Sequence, residues 1–218
     1  VSAGIKGGSA VAAIVGEAKG LLITHCFSAG NITAAIDRGL GGIVGFLGAI
    51  GGHTGKVISN CYSSCDLTAN SLDLYSTGGL VGYSVGGIVR NCYATGRASM
   101  SIMSSGDENL RQRQGLVGNN VTTGSTITTC YATGGNGLTQ NALYGRNGLV
   151  SQGTINDSYY PAGQVLNAFS AGGGAAMPAG AARTNFANFD FDNVWIWTDG
   201  QWPKLRNVPG TQPTVSLP

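Results

Sequence analysis

One eight-residue pattern recurs along the chain and narrows the fold before composition does. It reads Ile23-Thr24-His25-Cys26-Phe27-Ser28-Ala29-Gly30, then Ile58-Ser59-Asn60-Cys61-Tyr62-Ser63-Ser64-Cys65. It returns as Val89-Arg90-Asn91-Cys92-Tyr93-Ala94-Thr95-Gly96 and as Ile127-Thr128-Thr129-Cys130-Tyr131-Ala132-Thr133-Gly134. A degenerate fifth copy is Ile155-Asn156-Asp157-Ser158-Tyr159-Tyr160. Steps of 35, 31 and 38 residues separate the four cysteines, and 28 more lead to Ser158. A second motif precedes each copy: Ala13-Ile14-Val15-Gly16, Gly42-Ile43-Val44-Gly45, Gly79-Leu80-Val81-Gly82, Gly115-Leu116-Val117-Gly118 and Gly148-Leu149-Val150-Ser151. Repetition at a fixed period of this size is the signature of stacked repeat architectures.

Each motif is strand-like: short, rich in Val, Ile, Tyr and Thr, and bounded by Gly and Asn. No helical period is sustained over three turns, and each Gly costs a helix about 1 kcal/mol relative to Ala. Cys and Tyr are adjacent, so a strand directs them to opposite sides. The small Cys suits a tight interior, and the aromatic covers the outside or a corner. The glycines of the second motif allow corners at positive φ, with Leu or Val filling the core. A unit of about 30 residues cannot bury its own apolar face, whereas stacking buries it continuously.

The spacing therefore predicts an all-β right-handed parallel β-solenoid, or β-helix, of about five coils, its hand following the general rule for parallel crossovers. The expected organisation is repeats over residues 1–160, a C-terminal cap over 161–207 and a linker over 208–218. Cys26, Cys61, Cys92 and Cys130 form an internal column, as do Leu80, Leu116 and Leu149. A stacked meander of hairpins, with turns at Gly51-Gly52 and Gly86-Gly87, is the structural rival.

Residues 78–96 (GGLVGYSVGGIVRNCYATG) resemble the GLUG motif family, and the resemblance extends over about residues 10–160. Phe189 to Trp195 and Trp202 to Arg206 resemble the closing segment that follows such repeats. Ser158 in place of Cys, Ser151 in place of the second Gly and an eroded first copy depart from the pattern, as terminal repeats do. The resemblance implies a large bacterial surface or secreted protein, such as an adhesin or the non-catalytic part of an immunoglobulin-cleaving metallopeptidase. Both ends read as those of a fragment excised from such a chain.

Composition narrows the function classes. Charged residues make up 10% of the chain, against about 25% in an average domain. The net charge of +2 and the lack of a basic run leave no footprint for nucleic acid. No apolar run reaches the ~20 residues of a membrane-spanning helix, so no membrane insertion is expected. Four cysteines at one repeat position point the same way and are expected to stay unbridged, since a disulfide needs converging Cβ vectors. Cys65 stands apart and is expected to be exposed or bridged. His25 and His53 lie in different repeats, no zinc-like spacing occurs, and no cofactor or metal is expected.

No catalytic signature is present, and Asp66, Asp73, Asp107, Glu108 and Asp157 share no repeat position. The chain is therefore not expected to be an enzyme. Binding is expected in the insertion from Arg97 to Arg113, which holds Arg97, Asp107, Glu108, Arg111 and Arg113; residues 46–57 carry a second insertion. Trp195, Trp197 and Trp202 are expected to close the last coil, with Asp190 and Asp192 as polar capping groups rather than a calcium or sugar site.

The functional expectation is a non-enzymatic structural or adhesive module, monomeric within a larger secreted or cell-surface chain. It would present loops to a cell-surface, matrix or carbohydrate ligand. A carbohydrate-active β-helix enzyme, or an ice-binding solenoid with a regular Thr array, are the alternatives; Thr122, Thr123, Thr126, Thr128 and Thr129 do not recur at the repeat interval.

Overall fold

The computed structural model describes residues 2–6, 10–35, 38–48, 55–70, 76–100, 112–120, 124–134, 153–162 and 174–218. Among them the chain is all-β apart from one 3-10 turn, Arg183–Asn185. It starts with β1 (Ser2–Lys6), β2 (Ala10–Ala12), β3 (Val15–Ala18), β4 (Leu22–Thr24) and β5 (Phe27–Ala35). The next circuit is β6 (Gly39–Gly41), β7 (Val44–Leu47) and β8 (Val57–Ala69). It is followed by β9 (Ser76–Gly78), β10 (Val81–Ser84), β11 (Ile88–Ala94) and β12 (Ala98–Met100). Then come β13 (Gln112–Gln114), β14 (Val117–Asn120), β15 (Ser125–Thr128) and β16 (Tyr131–Ala132). Finally β17 (Gly153–Asn156), β18 (Tyr159–Pro161) and β19 (Ala175–Met177) lead to β20 (Trp195–Ile196) and β21 (Lys204–Leu205).

These strands sort into three parallel sheets that the chain visits in rotation. The first holds β1, β4, β5, β8, β11, β12 and β15–β19, the second β2, β6, β9 and β13, and the third β3, β7, β10 and β14. Among the described residues the only antiparallel pair of strands is β20 with β21. Hairpins make antiparallel neighbours and parallel ones need a crossover, so the meander is excluded and the winding is compatible with a solenoid. Equivalent repeat residues pair in register: Cys92 with Cys61, Tyr93 with Tyr62 and with Tyr131, Val81 with Val44 and Val117.

The second motif works through size rather than through corner dihedrals. Gly42, Gly45, Gly79, Gly82 and Gly118 do not have positive φ. Instead, a Cβ on Gly45 would lie 2.5 Å from Val11 N, and one on Gly82 2.5 Å from Leu40 N. Strands of the second and third sheets meet backbone to backbone there, and only glycine fits. Ile43, Leu80 and Leu116 between those glycines are buried, as the sequence expects; Leu149 lies outside the described residues.

The positive φ sits one residue before each of the four column cysteines and before Ser158: His25 (53°), Asn60 (54°), Asn91 (51°), Thr129 (49°) and Asp157 (45°). His, Asn and Asp tolerate this left-handed conformation better than other residues that carry a Cβ. The kink swings Cys inward and the following aromatic outward. It also resets the alternation along β8, where Cys61, Ser63, Cys65, Leu67 and Ala69 are all buried. Cys65, expected to be exposed or bridged, is therefore buried and free; it packs with Val11, Ile32, Leu40 and Leu67.

Candidate functional site: two residue columns and the C-terminal segment

Inside the stack, Cys61, Cys92 and Cys130 are fully buried beside Ile58, Val89 and Ile127, and Cys26 is partly buried at one end. All five cysteines are free. Each column thiol donates to the carbonyl two residues back: Cys26 to Thr24 O (3.3 Å), Cys61 to Ser59 O (3.2 Å), Cys92 to Arg90 O (3.1 Å) and Cys130 to Thr128 O (3.1 Å). The left-handed residue between them brings donor and acceptor together. Ser158 repeats the bond to Asn156 O at 2.8 Å and accepts Cys130 N–H at 3.1 Å. Cys26 N–H likewise donates to Cys61 Sγ at 3.4 Å. The side chain that follows the kink thus satisfies backbone groups the kink frees, and either sulfur or oxygen serves.

Burial and neighbouring thiols keep Cys61 and Cys92 protonated. The Cys92 thiol and then burial push Cys61 far above the ordinary thiol range. Burial, foremost, does the same to Cys92. A thiol must ionise to act as nucleophile or metal ligand, so Cys61 and Cys92 are poised for neither role.

Outside the same strands runs an aromatic column. Phe27 stacks on Tyr62 at 5.4 Å, Tyr62 on Tyr93 at 5.0 Å and Tyr93 on Tyr131 at 4.7 Å, with ring planes within 19° of one another. Tyr159 continues it in register with Tyr131. Tyr62, Tyr93, Tyr131 and Tyr159 are nevertheless buried, because residues 186–212 lie along them. Trp202 packs on Tyr131 at 4.8 Å, Trp195 lies 5.9 Å from Tyr131 and 6.3 Å from Tyr93, and Phe186 meets Tyr159 edge-on at 5.4 Å.

Every tyrosine hydroxyl of this column bonds to that segment. Tyr159 Oη accepts Ala187 N–H (2.9 Å), Tyr131 Oη donates to Pro203 O (2.6 Å), Tyr93 Oη to Gln212 Oε1 (2.8 Å) and Tyr62 Oη to Pro209 O (3.3 Å). Gly210 then turns at φ 86° against the Phe27 ring. The chain returns through Lys204 Nζ to Thr214 Oγ1, Trp202 N–H to Val215 O and Leu217 N–H to Gly200 O. Burial holds the Tyr93 and Tyr131 hydroxyls well above the usual phenol range.

Two expectations change here. Trp195 and Trp202 are buried and Trp197 partly so, but they cover the long side of the stack rather than its end. The interior at the last described turn is filled instead by Tyr160, packed with Ala132 and Cys130. Its edge is paired by β19. Residues 208–218, expected as a linker, pack back on the molecule through Val208, Val215 and Leu217. Their apolar residues alternate with proline, a spacing that reads as a linker until a surface is there to receive it.

The expected binding loop falls largely outside the described residues, as do Asp107, Glu108 and Arg111. Arg97 is exposed and its N–H donates to Asp66 Oδ1 at 2.8 Å. Arg113 lies in β13, beside Thr77 of β9 in backbone register. Asp190 is spent on its own turn, accepting from Asn193 Nδ2, Asn193 N–H and Asp192 N–H, and the bonds from Asn193, its side chain foremost, lower its carboxyl from the ordinary value. Asp192 lies 3.9 Å from Arg183, and Asp199 accepts Trp197 Nε1–H at 2.7 Å. Among the described residues no group of three His, Cys, Asp or Glu side chains has metal-binding geometry, and no helix is long and apolar enough to cross a membrane.

The outer face of β4, β8, β11, β15 and β17 is open. Leu22, Val57, Ile88, Thr126 and Thr154 form one column in register, and Thr24, Ser59, Arg90, Thr128 and Asn156 the next. Threonine is mixed with other residues in both, so no regular Thr array is built. The sequence reading missed the kink residues and the tyrosines' role as a receiving surface. The recurrence of His25, Asn60, Asn91 and Asp157 at one repeat position, with Thr129 the exception, was the signal for the first.

A family model for the GLUG motif matches residues 73–99. No curated protein matches the chain, and no solved structure matches it.

Proposed function

We propose that this chain, which carries a GLUG motif over residues 73–99, serves as a non-catalytic structural and adhesive rod within a larger bacterial surface or secreted protein. In this reading the strands wind about five right-handed turns and hold loops and the open outer face toward a cell, matrix or glycan partner. The association of the motif with bacterial extracellular and surface proteins supports it.

The observation that carries the proposal is how the described carboxylates are used. Glu17 pairs with Lys19 at 3.2 Å, Asp66 holds a backbone N–H, and Asp157 accepts from Asn188 Nδ2 at 2.8 Å. The three in the C-terminal segment are engaged as described above. Polysaccharide cleavage needs two carboxyl groups converging across one bond, about 5–10 Å apart, and these are spread over structural duties. The test is to incubate the purified chain with immobilised matrix proteins and a panel of polysaccharides, measuring retention and release of reducing ends. Retention on one class with no release supports the rod. Release of reducing ends, or retention on none of the surfaces, overturns it.

A further inference from the structure

The C-terminal segment and the tyrosine column relate to each other as ligand and receptor. The segment is braced within itself. β20 pairs with β21, Gln201 bridges to Ser216, and Arg206 donates to Phe191 O and Trp195 O. Gln212 closes on Leu205 in both directions, with 2.7 Å bonds. It therefore arrives at the stack with much of its shape already set, and preorganisation lowers the cost of docking.

Its contacts with the stack are of two kinds. β19 extends the first sheet in parallel register, Tyr159 with Ala175 and Pro161 with Met177, as a strand added in trans would. The tyrosine hydroxyls then reach main-chain groups of Ala187, Pro203 and Pro209. Such bonds read the path of an extended, proline-bearing backbone above an aromatic floor, a recurrent mode of peptide recognition. All of these contacts are non-covalent.

We infer that residues 174–218 are a docking segment recognised by the tyrosine column independently of the covalent link, so that the segment of a second copy of this chain can occupy the same column. Exchange of an identical element between copies is a low-cost route to association. It gives the rod a way to join to its own kind side by side, with no new surface needed.

The experiment uses the full chain with a site for a sequence-specific protease inserted between residues 166 and 172. After cleavage, the two pieces are followed by native mass spectrometry, and unlabelled protein is mixed with ¹⁵N-labelled protein. The inference predicts that the pieces stay together and that hybrid masses appear. Tyr93→Phe and Tyr131→Phe should each speed hybrid formation about five-fold, the usual worth of one hydrogen bond. Lys19→Ala, on the exposed opposite end of the chain, should leave the rate unchanged. Separation or precipitation of the pieces on cleavage overturns the inference. So does a stable complex that never forms hybrids, or a Lys19→Ala rate as fast as the tyrosine variants.

Discussion

Cysteine and tyrosine are neighbours in one motif, yet the columns they build are stabilised from different places. The cysteine column is satisfied within the repeat: each thiol bonds to the carbonyl two residues back, across a left-handed residue. The tyrosine column is satisfied by sequence up to 147 residues away, as between Tyr62 and Pro209. A repeat can thus supply its own interior, but its aromatic face needs a partner. This is why the segment after the repeats has a different composition and rhythm from the repeats themselves.

The largest effect should follow from removing that partner. Deleting residues 186–218 bares four tyrosines that are buried in the intact chain, each contributing about 1.5–3 kcal/mol by burial. The shortened chain should aggregate and lose its cooperative thermal transition, as read by size-exclusion chromatography and calorimetry. A monomer with unchanged melting would make the segment an appendage and dissolve the contrast.

A smaller break is Tyr131→Ala, which removes the ring between Tyr93, Trp195 and Trp202. It should cost about 3–5 kcal/mol in denaturant unfolding. Cys92→Val should cost about 1–3 kcal/mol, since it leaves backbone groups at the kink without partners. Cys92→Ser should cost less, about 1 kcal/mol, because Ser158 already plays that part with a shorter bond. Equal losses for Val and Ser would mean that the column is held by packing alone.

The tyrosines also make stability depend on alkaline pH. Their folded values are raised by burial, so the unfolded chain gives up protons above pH ~10 that the folded chain retains. Stability from this source is complete below pH ~10 and falls as pH rises beyond it. Melting temperatures at pH 8 and pH 11 should differ in that direction. The smallest effect lies at the kink. Thr129 is the one β-branched residue among the five kink residues at positive φ, so Thr129→Asn should stabilise the chain by about 0.5–1 kcal/mol by relieving that strain.

The stacking was legible because residues at one repeat position must meet one another: the spacing of Cys61, Cys92 and Cys130 implies their register. The inward Cys and outward Tyr were legible from adjacency. The kink was not, since Asn60 and Asn91 read as turn punctuation until Cys61 and Cys92 are seen bonding across them. The roles of Gly45 and Gly82 were misread because glycine serves both positive φ and close approach, and only the neighbouring strand tells them apart. The placing of Trp195 and Trp202 was hidden for a different reason. A non-repeating segment has no register with the repeats, so nothing in its order says which side of the stack it will cover.

The central claim is that the repeat cysteines form one buried, unbridged interior column. Its most direct test is thiol labelling of the native chain, read by intact mass and peptide mapping, then repeated in denaturant. The account predicts slow labelling at Cys26 alone, protection of Cys61, Cys65, Cys92 and Cys130, and five labels after unfolding. Rapid native labelling of three or four thiols, or fewer than five labels after unfolding because pairs are bridged, would contradict it.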